Sequence, residues 1–191
     1  MAAKETSFKI LMLPWLAHGH ISPNLELAKK LFKRNFQIYF CSTPINLCSI
    51  KKSFSQITNS SELQFEIQLV EFHLPSLPQL PPHYYTTHGL PPHLMSTLVK
   101  ALEIARPAFS DILESHKPHL IMYDVNFAWA MEMEMSHNIP ALHFHITGDT
   151  AKAFFLRTFK HRGRQFPFAS IFLKSYEISK LRHVESSSNH G

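Results

Sequence analysis

Short apolar runs and stretches of helical spacing take turns along this chain of 191 residues. Phe8 to Leu13 is an apolar run of strand length, the pattern of a strand buried on both faces. A loop bounded by Pro14 and Pro23 follows, with His18, Gly19 and His20 at its crown. Past Pro23, the residues Leu25, Leu27, Ala28, Leu31 and Phe32 fall near helical spacing, with Glu26, Lys29, Lys30 and Lys33 on the other face. Phe36 to Cys41 is aromatic and β-branched, a second strand. Thr43-Pro44 ends it, and Ile45 to Phe54 reads as a short helix. Asn59, Ser60 and Ser61 mark a turn. From Leu63 the pattern alternates, with Leu63, Phe65, Ile67 and Leu69 on one side and Gln64, Glu66 and Gln68 on the other. That strand has one wet face and belongs at or near a sheet edge.

The stretch from Leu74 to Pro92 carries Pro75, Pro78, Pro81, Pro82, Pro91 and Pro92, with Tyr84, Tyr85 and His88 between them. Each proline fixes φ and removes a donor, which excludes regular helix and central strand. The PxxP-like spacing admits an SH3-ligand reading. An ordered surface loop whose aromatics line a cleft is preferred, since long loops in compact domains are usually functional. Without ladder bonds, this loop and the tail are expected to be the most loosely held parts. Helical spacing returns from His93 to His116, where Pro107 is expected to kink or split the helix. His119 to Asp124 is another short buried strand, ending on an acid. Phe127 to His137 reads as helix and Ile139 to His145 as a fifth strand. Thr147, Gly148 and Asp149 form its exit, and Thr147 or Asp149 can cap a helix from Thr150 to Phe159. Arg162 to Phe168 is basic and turn-like, and the tail from Lys180 to Gly191 is polar and without periodicity.

Strands alternating with helices predict an α/β, Rossmann-like, mostly parallel sheet flanked by helices. The loop after the first strand has one glycine where a dinucleotide fingerprint needs three. With 5 Gly in the whole chain, no other phosphate cradle is evident, and a nicotinamide or flavin cofactor is not expected. The net charge of +5 comes from 19 basic and 14 acidic residues spread along the chain, so no nucleic-acid partner is expected. Cys41 and Cys48 lack zinc-ligand spacing and read as reduced thiols. No signal-peptide core and no bilayer-spanning stretch is present, so a cytoplasmic setting without a membrane partner is expected.

Three residues at the strand ends bear on chemistry: His18 and His20 after the first strand, and Asp124 after the fourth. A histidine can take a proton from a hydroxyl near neutral pH, and a carboxylate can orient it and stabilise the imidazolium that forms. On the residues alone, a loop histidine and a helix N-cap account for His20 and Asp124 better than a dyad does. His143 and His145 lie two apart on one strand face; no third metal ligand is evident, and they read as packing or pocket lining.

The segment LPWLAHGHISPNLELAKKL resembles the first strand, loop and helix of plant UDP-dependent glycosyltransferases of small molecules. Pro14, Ala17, Gly19, His20, Pro23, Ala28 and Leu31 match that family's pattern. KPHLIMYDVNFAWA resembles its fourth-strand region, with Asp124 and Trp129 in place and His119 departing from the usual first acid. NIPALHFHITGDTA resembles the next strand and its exit. Further detail, including FPFASIFLKSYEISKLRHVESSS, is similar to the branch that adds sugars to sugars already on a glycoside.

The resemblance implies a two-domain GT-B architecture with the active site between the domains, of which residues 1–191 would be the N-terminal acceptor-binding domain. His20 would be the general base and Asp124 its partner, in an inverting transfer of a sugar, glucose by expectation, from a UDP-sugar. The UDP-sugar is a co-substrate, and no cofactor or metal is implied. Thr147 falls where relatives place a hydroxyl near the donor sugar, and His18, Gly19, Tyr84 and Asn126 are assigned to the acceptor. His18 replaces a more usual glutamine, so it either touches the acceptor or merely fills the loop. The expected small-molecule partner is a flavonoid or terpenoid glycoside. The family's donor-binding signature, with its His-Cys-Gly-Trp core, does not occur here, which implies an incomplete domain lacking its C-terminal, donor-binding partner. The alternative is a catalytically silent, truncated acceptor-binding module.

Overall fold

The computed structural model describes residues 7–57, 67–127 and 129–161, together with 166–168, 170, 172, 174, 176 and 177. β1 (Lys9–Leu13) lies between β2 (Gln37–Ser42) and β4 (Leu120–Tyr123). β3 (Ile67–Glu71) borders β2, and β5 (Ala141–His143) borders β4. All four strand pairings are parallel, with Ile10 opposite Ile38 on one side and Leu120 on the other. The expected helix-flanked parallel sheet is what forms, and β3 takes an edge of it.

Period-2 alternation explains how the sheet is covered. Ile10, Met12, Ile38, Phe40 and Met122 meet Ile21 and Ala28 of α1 (His18–Phe32) and Leu47 and Ile50 of α2 (Pro44–Ile57). Leu11, Leu13, Tyr39, Cys41, Ile121 and Tyr123 face the other way. They meet Leu98 and Leu102 of α3 (Met95–Ile104), Phe109 and Leu113 of α4 (Arg106–His116), and Ala130 of α5 (Ala130–His137). Both faces are therefore covered, which is why the central strands are apolar at almost every position. Each fully buried Leu or Phe contributes about 1.5–3 kcal/mol. The chain runs outward from β1 through β2 to β3, then returns to the far side of β1 for β4 and β5. Strand order reverses between β1 and β4, the place where open α/β sheets bind ligands.

Several boundaries differ from those the pattern predicts. α1 begins at His18, before Pro23, because extended Ala17 turns its carbonyl to the N–H groups of His20 and Ile21, both at 2.9 Å. Pro23 removes one helical bond inside α1, and Asn24 Nδ2 donates to the His20 carbonyl at 3.0 Å. The helical stretch from His93 does split, at Ala105, which leaves Pro107 in the first turn of α4 where its missing donor costs nothing. α5 starts at Ala130, later than Phe127: Trp129 is its N-cap, and a turn that closes from the Ala130 N–H to the Phe127 carbonyl at 2.8 Å precedes it. β5 starts at Ala141 because Pro140 has no N–H for the ladder. Neither Thr147 nor Asp149 caps the next helix, α6 (Asp149–Lys160). Extended Gly148 is its N-cap, without a side-chain bond, and Asp149 lies within its first turn.

The 74–92 segment also corrects its expectation. It contains two short 3₁₀ turns, Pro82–Tyr84 and Pro92–Leu94, and it is pinned. Thr43 Oγ1 donates to the Tyr85 carbonyl at 2.6 Å, Tyr85 Oη to that of Pro75 at 3.1 Å, and the Thr87 N–H to that of Leu16 at 2.9 Å. Tyr85 is buried in the core rather than lining a cleft. Residues 147–191 form a compact unit of their own, separate from 1–146, in which the Phe154 ring of α6 meets Phe166 at 5.3 Å. Among the described residues no helix is long and apolar enough to cross a membrane. The turn at Asn59–Ser61, the alternating residues Leu63 to Glu66 and the polar tail from Lys180 lie outside the described residues.

Candidate active site

β1 and β4 run side by side, so the chain segments that leave them meet at their carboxyl ends. The Asp124 N–H donates to the Leu13 carbonyl at 3.2 Å, which carries the pairing with β1 one residue past the end of β4. Asp124 is wholly buried, with 0% exposure. Its Oδ1 accepts the Val125 N–H at 2.7 Å, and its Oδ2 accepts the Trp15 N–H at 3.3 Å. A buried carboxylate left without donors would carry a large desolvation cost; here two backbone N–H groups, one adjacent and one from the segment after β1, supply them. The third contact is the His20 ring, whose Nδ1 lies 2.7 Å from Oδ2. With Nδ1–H donating to the carboxylate, Nε2 carries the lone pair, and the imidazole side chain remains 22% exposed. Asp124 does not cap α5, whose N-cap is Trp129. The pair joins residues 104 positions apart.

His18 and Gly19 share the first turn of α1 with His20 and are exposed, so the three do not crown a loop. Asn126 is exposed on the turn after Asp124. Tyr84 is half-buried against the apolar cluster on the α3–α4 side, its ring 4.2 Å from His83. Thr147 belongs to the 147–191 unit and is exposed. His143 stacks on Tyr123, ring centroids 5.1 Å apart and 5° from parallel, and His145 lies 5.1 Å from His143. Among the described residues no group of three or more His, Cys, Asp or Glu could hold a metal ion. Cys41 and Cys48 are unpaired, and burial pushes the Cys41 thiol well above its usual range. Trp129 is buried between Phe109 and Phe127, and its Nε1 has no partner among the described residues.

Sequence reasoning did not assign a role to His88, whose ring stands 6.5 Å from that of His18. Nor did it find the threonines that place it. Thr86 Oγ1 reaches the Leu16 carbonyl at 3.3 Å and accepts the His88 N–H at 3.3 Å. Only the run Thr86-Thr87-His88-Gly89, polar amid prolines, hinted at a built turn.

Residues 6–174 match the family model described as glycosyltransferase, N-terminal domain. A β-D-glucosyl crocetin β-1,6-glucosyltransferase of Gardenia jasminoides is 49% identical over 171 residues, 90% of this chain and 37% of that protein. A flavanone 7-O-glucoside 2''-O-β-L-rhamnosyltransferase of Citrus maxima is 49% identical over 176 residues, 92% of this chain and 37% of that one. The chain thus spans just over a third of the length of these curated relatives. Among solved structures, a UGT of Glycyrrhiza uralensis complexed with glycyrrhetinic acid 3-O-monoglucuronide gives a TM-score of 0.69 at 19% identity, covering 85% of this chain and 33% of that one. A UGT of Arabidopsis thaliana gives 0.63 at 19%, covering 78% and 37%. At such identity the structural likeness carries the fold alone, that of the N-terminal part of GT-B enzymes. The sequence match over most of the chain carries more: this protein belongs to the glycosyltransferase N-terminal-domain family.

Proposed function

We propose that this chain is the acceptor-binding domain of an inverting UDP-dependent glycosyltransferase, transferring a sugar, glucose in the first instance, to a hydroxyl of a plant secondary metabolite or its glycoside. The observation that supports it most is the 2.7 Å contact between His20 Nδ1 and buried Asp124, at the point where strand order reverses. In this reading His20 Nε2 takes the proton of the acceptor hydroxyl, and Asp124 stabilises the imidazolium through Nδ1–H. The acceptor oxygen bonds to the anomeric carbon as the bond from that carbon to the UDP phosphate oxygen breaks. Attack opposite the leaving group inverts the configuration, and UDP departs with the electron pair.

Gly19, Tyr84 and Asn126, with His18, are assigned to the acceptor, and Thr147 to the donor sugar. The seat for UDP is assigned to a donor-binding domain outside these 191 residues, and the UDP-sugar is a co-substrate. The free thiols accord with a cytoplasmic setting. The acceptor class proposed is a flavonoid or terpenoid glycoside, in line with the glucosylated substrates named for the Gardenia and Citrus relatives.

The test is a chimera joining this chain to the remaining two thirds of the Gardenia relative, assayed with UDP-glucose and glucosylated acceptors. Transfer is expected, and His20→Ala should lower kcat about 10²-fold or more, the scale of a positioned base. His18→Ala should leave most of kcat. A folded chimera that binds acceptor yet transfers nothing would favour the silent acceptor-binding module instead.

A further inference from the structure

The fold sorts charges that the chain scatters. α1 and α2 cover one side of the sheet, and residues 18–57 hold six cations, Lys29, Lys30, Lys33, Arg34, Lys51 and Lys52, against one acid, Glu26. Glu26 is itself bonded to Lys29 at 2.6 Å. On the other side of the sheet the balance reverses. There α3, α4 and α5, with the cap Lys117, carry three cations against five acids, Glu103, Asp111, Glu114, Glu132 and Glu134. Helical spacing decides where the cations of α1 stand. Ile21, Asn24 and Ala28 turn to the sheet, so Lys30, Lys33 and Arg34 fall on the outer side. All three are exposed, as are Lys51 and Lys52 of α2. Among the described residues, no large hydrophobic side chain of either helix is exposed.

We propose that the outer face of α1 and α2 is a docking surface for an anionic lipid bilayer. A protein interface is anchored by apolar and aromatic side chains at its centre, and single-stranded nucleic acid needs aromatic platforms to stack on. This face offers neither. The headgroups of an acidic leaflet need only cations spread over a plane, each adding to the attraction within a Debye length. The same leaflet repels the acidic layer across the sheet, which decides the side that faces the lipid. Both helices lie along the sheet, so the rim at its carboxyl end, where His20 meets Asp124, stays open beside the bilayer. This is attachment to a surface and not a span, since no described helix is long and apolar enough to cross a membrane. Spacing along the chain gives no sign of it. The cations become one face only when α1 and α2 dock on the same side of the sheet.

The test is co-sedimentation of the full chain with phosphatidylcholine vesicles, with and without about one-third phosphatidylserine. Binding is expected to the acidic vesicles alone, and to be lost in about 1 M NaCl, where the Debye length falls to about 3 Å. Lys30→Glu with Lys33→Glu should weaken that binding about tenfold or more. Lys100→Glu with Lys117→Glu makes the same change of charge on the other layer and should alter it less than about twofold. Circular dichroism shows whether each variant is folded, and the milder pair Lys30→Gln with Lys33→Gln should give a smaller loss in the same direction. Equal losses from the two layers, equal binding to both kinds of vesicle, or no binding to either overturns the proposal. Tighter binding to poly(U) than to the acidic vesicles at the same salt would assign the face to nucleic acid and overturn it as well.

Discussion

In the proposed mechanism His20 and Asp124 have separable duties, and substitution can tell them apart. Asp124→Asn keeps an oxygen for the Val125 N–H but can present an amide to His20, so the ring loses its fixed tautomer. In the chimera, kcat should fall about 10²-fold or more with KM changed little, read by steady-state kinetics. Wild-type turnover by that variant would remove Asp124 from the mechanism. The cysteines give a second contrast at this scale. Cys48 is exposed, whereas Cys41 is buried and its thiol is held protonated by burial. The thiolate is the reactive form, so iodoacetamide at pH 8 should add once to the native protein, at Cys48. A second adduct should appear only in denaturant, and rapid native labelling of Cys41 would contradict its burial. His119 explains a departure noted in the sequence. Its ring Nδ1 accepts the Lys9 N–H at 2.9 Å while its backbone N–H donates to the Lys9 carbonyl at 2.9 Å. The acceptor role open to an acid at this position is filled by an imidazole.

At the level of elements, caps decide where helices stop. α4 ends on Lys117, exposed and at φ 45, a conformation that disfavours any side chain. α5 ends on Asn138 at φ 52, a residue that tolerates the left-handed region better. Lys117→Gly should therefore stabilise the protein by about 1 kcal/mol, because glycine adopts this conformation without the Cβ clash. The measurement is the urea midpoint, expected to rise at unchanged slope. A fall would mean that the Lys117 side chain contributes something that exposure hides. Arg106 ties α4 to α5 through Glu132 at 2.7 Å, with its guanidinium 5.9 Å from the Trp129 ring centroid. That pair is partly exposed, and a surface ion pair of this kind contributes little beyond orientation.

Over the whole 1–146 unit, two apolar layers share one sheet, and each has a fully buried aromatic at its centre. Phe40 packs under α1 and α2, and Phe109 on the opposite side beneath Phe72 and Trp129. Phe40→Ala and Phe109→Ala should each cost about 3–5 kcal/mol, a large share of the 5–15 kcal/mol typical of a domain. Both should lower the melting midpoint steeply in thermal denaturation followed by circular dichroism. A loss under about 1 kcal/mol at either site would mean that its layer is less tightly packed than the burial implies.

Local pattern was enough for the strands, the two-sided burial of the sheet, the helix break near Pro107 and the edge position of β3. Period 2, helical spacing and proline chemistry act within a few residues, so they can be read from the chain directly. The start of α1 was missed because Pro23 looks like a boundary, whereas the carbonyl of Ala17 begins the helix upstream of it. The pinning of the 74–92 segment was missed for a similar reason. Its bonds go from Thr43, Thr86 and Thr87 to carbonyls that no spacing rule connects. The His20–Asp124 pair stands between these cases. Each residue could be singled out at a strand end, yet whether they meet depends on β4 docking beside β1 after the chain has crossed the other face of the sheet. A 2.7 Å contact across 104 positions is set by strand order and register, and those exist only in the folded chain.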